Sequence, residues 1–163
     1  MKRAIVAMGG GPTRVINRSL FGVVDEATKN GIDVLGARHG FAGFLKEQFL
    51  PLTPSTPPVA TLQNLPGAMI GSTRMKPNAQ DCVKAFDVFK KHGINYLFYI
   101  GGNDTAEATS IINREAKSAG YELRCFHVPK TIDNDLVEND HCPGYGSAAR
   151  YVAQAVLGDD MDV

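Results

Sequence analysis

Residues 95–105 read NYLFYIGGNDT, and the reading of that stretch decides the fold class. Asn95 to Ile100 is nearly continuous in apolar residues, as strands covered on both faces of a parallel sheet tend to be. The run stops at Gly101-Gly102, and Asn103-Asp104-Thr105 then offers side chains suited to the start of a helix. The same grammar recurs on either side. Arg3 to Met8 runs into three glycines, Leu123 to Val128 runs into Pro129-Lys130-Thr131, and Asp33 to Arg38 is a fourth, weaker run.

Helical patterns fill the intervals. Ile16, Leu20, Val23, Val24 and Ala27 share one face, with Asn30-Gly31 as a stop. Val83, Phe86 and Phe89 repeat at helical spacing between Asn78, a fitting N-cap, and Gly93. Ala108, Ile111, Ile112 and Ala119 form a third face closed by Gly120, and Ala148, Ala149, Val152, Ala155 and Val156 a fourth. Strand alternating with helix predicts an α/β, Rossmann-like sandwich around a mostly parallel sheet. The piece from Pro51 to Pro58 reads as a surface connection.

The bulk properties fit one globular domain of 163 residues. Seventeen basic residues balance seventeen acidic ones, so the overall field gives no case for nucleic acid or an anionic membrane as partner. Cys82, Cys125 and Cys142 lack CxxC spacing, and no apolar stretch is long enough for a membrane span. Reduced thiols and a cytoplasmic location are expected. The last helical pattern ends in GDDMDV with no strand after it, and the chain reads as cut short.

In open α/β sheets ligands sit at strand carboxyl ends, so the three exits carry the chemistry. Gly9-Gly10-Gly11-Pro12-Thr13-Arg14 lets backbone approach an anion at a helix start, yet a tight turn alone would use the same glycines. It is neither a P-loop nor a GxGxxG fingerprint. In the second exit Asn103 or Asp104 could bind a phosphate-bound metal or simply cap the helix. The third, PKTIDND at 129–135, sets Asp133 and Asp135 beside Lys130 and Thr131, a grouping that suits a general base next to a metal or second acid. No metal spacing links His39, His92, His127 and His141; His92 reads as a helix-end cation and His127 as a hydrogen-bonded core residue. Phe86, Phe89, Tyr96, Phe98 and Phe126 read as core, and Lys90-Lys91 as a solvated helix end.

Taken together, GGGPTRVIN at 9–17, GSTR at 71–74, IGGNDT at 100–105 and PKTIDND at 129–135 resemble the phosphofructokinase family, in family order and spacing. PGYGSAAR at 143–150 is similar to the segment after TIDND in pyrophosphate-using members. The resemblance implies that residues 1–163 form the N-terminal, phosphate-donor-binding lobe, with the sugar-binding lobe missing. It implies transfer of a phosphoryl group to the 1-hydroxyl of fructose 6-phosphate, reversibly, with Mg2+, in glycolysis. Asp133 would be the general base, Arg74 would contact the transferring phosphoryl group, and Thr131 and Asp135 would position the sugar. Gly11 and Gly102 would lie against the donor, and a neighbouring subunit of a homo-oligomer would help finish the sugar site.

ATP-using relatives carry glycine at the positions matching Asp104 and Lys130, so the charged pair here implies pyrophosphate as donor. A carboxylate about 4 Å from a nucleotide α-phosphate would repel it by a few kcal/mol. The resemblance implies a magnesium-binding aspartate in many members where Asn103 stands, and Asn103 and Asp104 are the candidate metal ligands. Either Asp104 takes over that role, or the metal is held mostly by substrate oxygens and water. An ATP-dependent phosphofructokinase and a non-catalytic phosphate-binding lobe remain the alternatives.

Overall fold

Strand β1 (Arg3–Met8) lies at the centre of a five-stranded sheet of order β3-β2-β1-β4-β5, with β2 spanning Asp33–Ala37, β3 Phe49–Leu52, β4 Ile94–Gly101 and β5 Arg124–Pro129. The computed structural model describes residues 2–53, 59, 61 and 64–161. β1 pairs in parallel with both β2 and β4, β4 pairs in parallel with β5, and only β3 runs antiparallel. The expected α/β sandwich is therefore the fold. Its chain direction reverses outward from β1, so the exits of β1 and β4 face each other at the topological switch point.

The apolar runs work as two-sided strands. Ile5 and Ala7 of β1 face one core cluster, and Ala4, Val6 and Met8 the other, all fully buried. Helix α1 (Ile16–Lys29) covers the second face with Ile16, Leu20, Val24 and Ala27. Helices α2 (Phe41–Leu45), α3 (Ala79–His92) and α4 (Asn103–Ser118) cover the first. There Phe44 meets Phe41 and Phe89 edge-on, at centroid distances of 5.3 and 5.0 Å. Each such buried ring stabilises the fold by roughly 1.5–3 kcal/mol. The Asn78 side chain caps α3 by accepting from Asp81 N at 2.9 Å, and Gly93 ends it in the left-handed region at φ +64°.

Several expectations are corrected. Pro51 and Leu52 belong to β3, an edge strand where a missing N–H is tolerated; residues 54–58 of the expected connection lie outside the described residues. Val83 is 56% exposed, because the buried stripe of α3 is Cys82, Ala85, Phe86 and Phe89. Tyr96 and Phe98 are half-buried and Phe126 is exposed, so these three aromatics are not closed core. Helix α5 (Tyr145–Met161) forms as predicted, yet none of its residues is buried. His92 and Lys91 both engage Glu47, at 2.9 and 2.8 Å, and Lys90 stands over the Tyr121 ring. All three cysteines are free thiols, and burial pushes Cys82 up to about 11 and Cys125 to about 12, well away from thiolate reactivity. No helix among the described residues is long and apolar enough to cross a membrane.

Candidate phosphate-binding site

The three strand exits meet in one cleft of about 280 Å³ at the carboxyl edge of β1, β4 and β5. The loop after β1 is drawn there by backbone bonds to its neighbours: Gly9 N donates to Ile100 O at 2.8 Å, and Gly10 N to Thr73 O at 2.9 Å. Gly10 has φ +74°, a conformation side chains rarely take, and it turns the chain toward the cleft. Residues 71–74 form a strap across this loop. Thr73 bridges to Gly9, Ser72 Oγ donates to Gly10 O, and the buried Asn17 side chain holds the strap's approach through Leu65 O and Met69 N. The strap thereby brings Arg74 to the cleft wall, with its guanidinium beside Gly11.

Helix α4 opens into the same space. Its N-cap is Gly102, with no side-chain cap, and Asp104 N donates instead to Asn103 Oδ1 at 2.9 Å. A 16-residue helix aimed at the cleft by its positive end favours an anion there. The exit of β5 closes the far wall. Lys130 is only 4% exposed, its N donating to Gly101 O at 2.9 Å and its Nζ to Gly11 O at 2.6 Å. Burial pulls its pKa below the ordinary lysine range, the Arg74 charge lowers it further, and Asp133 acts in the opposite direction. Thr131 is buried and accepts at Oγ1 from Asp133 N at 3.1 Å, which fixes the turn that presents Asp133.

The predicted residues Gly11, Arg74, Gly102, Asn103, Asp104, Lys130, Thr131 and Asp133 thus line one cleft. Asp135 does not; it is exposed and stands outside the lining. Its neighbour Asn134 instead ties the loop to 140–142, accepting from Cys142 N at 2.8 Å in a left-handed backbone at φ +53°. His127 has the predicted structural role, bonding Gly101 O at 2.9 Å, and burial lowers its pKa. Sequence reasoning missed Thr13, whose buried Oγ1 has no partner among the described residues and which lines the cleft. A hydroxyl left unpaired in that position costs about 1–3 kcal/mol until a ligand oxygen reaches it. It also missed Lys76, which pairs with Asp104 and Glu107. No group of three or more metal-ligating side chains occurs among the described residues.

A cleft built from two cations, a helix N-terminus, glycine backbone and flanking carboxylates suits a polyphosphate beside a proton acceptor. The family profile described as Phosphofructokinase matches residues 3–158. The chain is 50% identical over 163 residues to pyrophosphate–fructose 6-phosphate 1-phosphotransferase of Rhodospirillum rubrum, and 41% identical over 165 residues to that of Xanthomonas campestris. Each match covers 98% of this chain and 40% of the relative, so the chain spans two fifths of their length. The crystal structure of a pyrophosphate-dependent phosphofructokinase from Marinobacter aquaeolei superposes with a TM-score of 0.87 at 37% identity, over 99% of this chain and 42% of that one. With the profile running through every loop of the cleft, the chain belongs to the phosphofructokinase family.

Proposed function

We propose that this lobe binds pyrophosphate and presents it to fructose 6-phosphate, in a polypeptide that forms fructose 1,6-bisphosphate and inorganic phosphate reversibly, within glycolysis. One observation carries the reading: Lys130 and Asp104, the two charged positions where the family resemblance implies glycine in nucleotide-using members, both line the cleft. The buried ammonium of Lys130 and the guanidinium of Arg74 would bond the donor's non-bridging oxygens. Gly10 and Gly11 let the backbone lie against those oxygens, and the Thr13 hydroxyl would find its partner there. Asp104 would intrude where the α-phosphate of a nucleotide must lie and oppose it by charge.

In the transfer, Asp133 takes the proton of the sugar 1-hydroxyl. That oxygen bonds to the terminal phosphorus, and the bond to the bridging oxygen breaks, releasing phosphate. Arg74 and Lys130 stay on oxygens whose charge shifts during the step, so alignment and electrostatics supply most of the acceleration. Mg2+ would be held chiefly by donor oxygens and water, because of the two candidate ligands Asn103 Oδ1 already accepts from Asp104 N and the Asp104 carboxylate is paired with Lys76. Such an ion would neutralise charge on the transferring group. A homo-oligomer that completes the sugar site belongs to the same reading.

A coupled assay on the whole polypeptide that carries this lobe, offering pyrophosphate and ATP in turn with magnesium, tests the proposal. Pyrophosphate is expected to support turnover and ATP to support little. Asp133→Ala is expected to lower kcat by about 100- to 10,000-fold without unfolding the protein. A clear ATP preference overturns the donor, and an active Asp133→Ala enzyme overturns the base.

A further inference from the structure

Two residues beyond Arg74, outside every motif, Lys76 places Nζ 2.8 Å from Glu107 Oε2 and 3.3 Å from Asp104 Oδ1. Asp104 and Glu107 stand three residues apart at the start of α4, on one face of the helix. Lys76 does not line the donor cleft. It lines a narrow groove next to it, with Tyr99 and Ala108, and Asp104 lines both spaces. Gly10, Arg74 and Thr105 line both as well, so Asp104 is one part of the wall between cleft and groove. Lys76 contacts that part from the groove side.

We propose that Lys76 is a positioning residue for donor binding: it draws the Asp104 carboxylate toward the outer groove and balances its charge. Asp104 then restricts the cleft by its bulk without repelling a pyrophosphate anion. The inference rests on the pyrophosphate reading of the cleft. Its physical basis is the ligand's field, not fold stability, because all three groups are more than half exposed and such pairs contribute little to folding. Without Lys76, an unbalanced carboxylate would face the donor.

The test measures pyrophosphate binding by calorimetry and KM against kcat on the whole polypeptide. Lys76→Met is expected to weaken pyrophosphate binding and raise its KM by about three- to fivefold, with kcat changed by less than about twofold and the melting temperature unchanged. Lys76→Arg restores the affinity. The loss shrinks at about 0.5 M salt, where exposed charges are screened. In an Asp104→Asn background the same Lys76→Met change is expected to alter binding by less than about 1.5-fold, because its effect runs through Asp104. An equal loss in both backgrounds would mean that Lys76 touches the donor itself, and no loss in either would leave a bare surface contact; each overturns the inference. Wild-type protein that binds ATP and not pyrophosphate would defeat the donor reading instead, before any variant is made.

Discussion

Lys130 holds a nearly buried amine against the Gly11 carbonyl, and if the cleft takes pyrophosphate as proposed, its titration would link donor binding to pH. A phosphate oxygen needs the protonated amine. In the free lobe burial and Arg74 lower the pKa from 10.5, so the proton leaves earlier than from an ordinary lysine as pH rises. A bound anion pulls the pKa back up. Pyrophosphate binding is therefore expected to take up protons at alkaline pH, and affinity to fall as pH rises through the free-lobe value, by at most about tenfold per pH unit. Calorimetry in buffers of different ionisation enthalpy reads the uptake directly. Lys130→Arg, with a charge that does not titrate, should flatten the profile. Folding responds with the opposite sign: between the lowered value and 10.5 the unfolded chain binds more protons, so stability rises with pH across that window. Flat binding with no proton uptake would show that the amine does not meet the donor.

At the scale of elements, the cleft depends on how closely β1 and β4 deliver their exits around α4. Thr105, buried in the first turn of α4, fills the space between Gly9 and Gly101. A Cβ added to Gly9 would lie 3.2 Å from Thr105 Cγ2 and would overlap its hydroxyl. Gly9→Ala is expected to cost about 1–3 kcal/mol, read as a lower melting temperature, and Thr105→Ala to recover part of it in the double variant. An additive double variant would remove Thr105 as the cause. The glycine runs that close β1 and β4 were legible as strand ends, but a tight turn would use the same residues, so their part in one cleft shows only in the assembled sheet. β1, β4, β5 and helices α1, α3 and α4 were legible too, each framed by its own stop. β3 was not, since four residues containing Pro51 have no period to read. The inward stripe of α3 was read one residue off, because Cys82 and Ala85, not Val83, continue the spacing of Phe86 and Phe89. Lys76 was silent in the sequence: its partner Glu107 is 31 residues away, and only the strap's path over β1 brings them together.

For the whole molecule, the surfaces left uncovered are as informative as the core. Phe98 and Phe126 stack at 5.1 Å beside β5, an edge strand, and with Tyr96, Val128 and Val23 they line an apolar groove of about 650 Å³. Phe126 is 46% exposed, and Tyr151, Val152, Val156 and Leu157 of α5 are more so. Apolar patches of this kind beside an unpaired strand edge mark contact surfaces, and the chain spans only two fifths of the length of the relatives it matches. This 163-residue chain studied by itself is therefore expected to bind a hydrophobic dye such as anilinonaphthalene sulfonate and to associate as its concentration rises. Val156→Ser should lower the dye signal and leave the melting temperature unchanged, since its helix has no buried residue, whereas Phe126→Ser should lower both, because its ring stacks on Phe98. The two substitutions together should lower the dye signal further than either alone, since the groove and α5 expose separate surfaces. A chain that stays monomeric and free of dye would mean that α5 folds back over the Phe98–Phe126 face, a packing that Phe126→Ser would then destabilise.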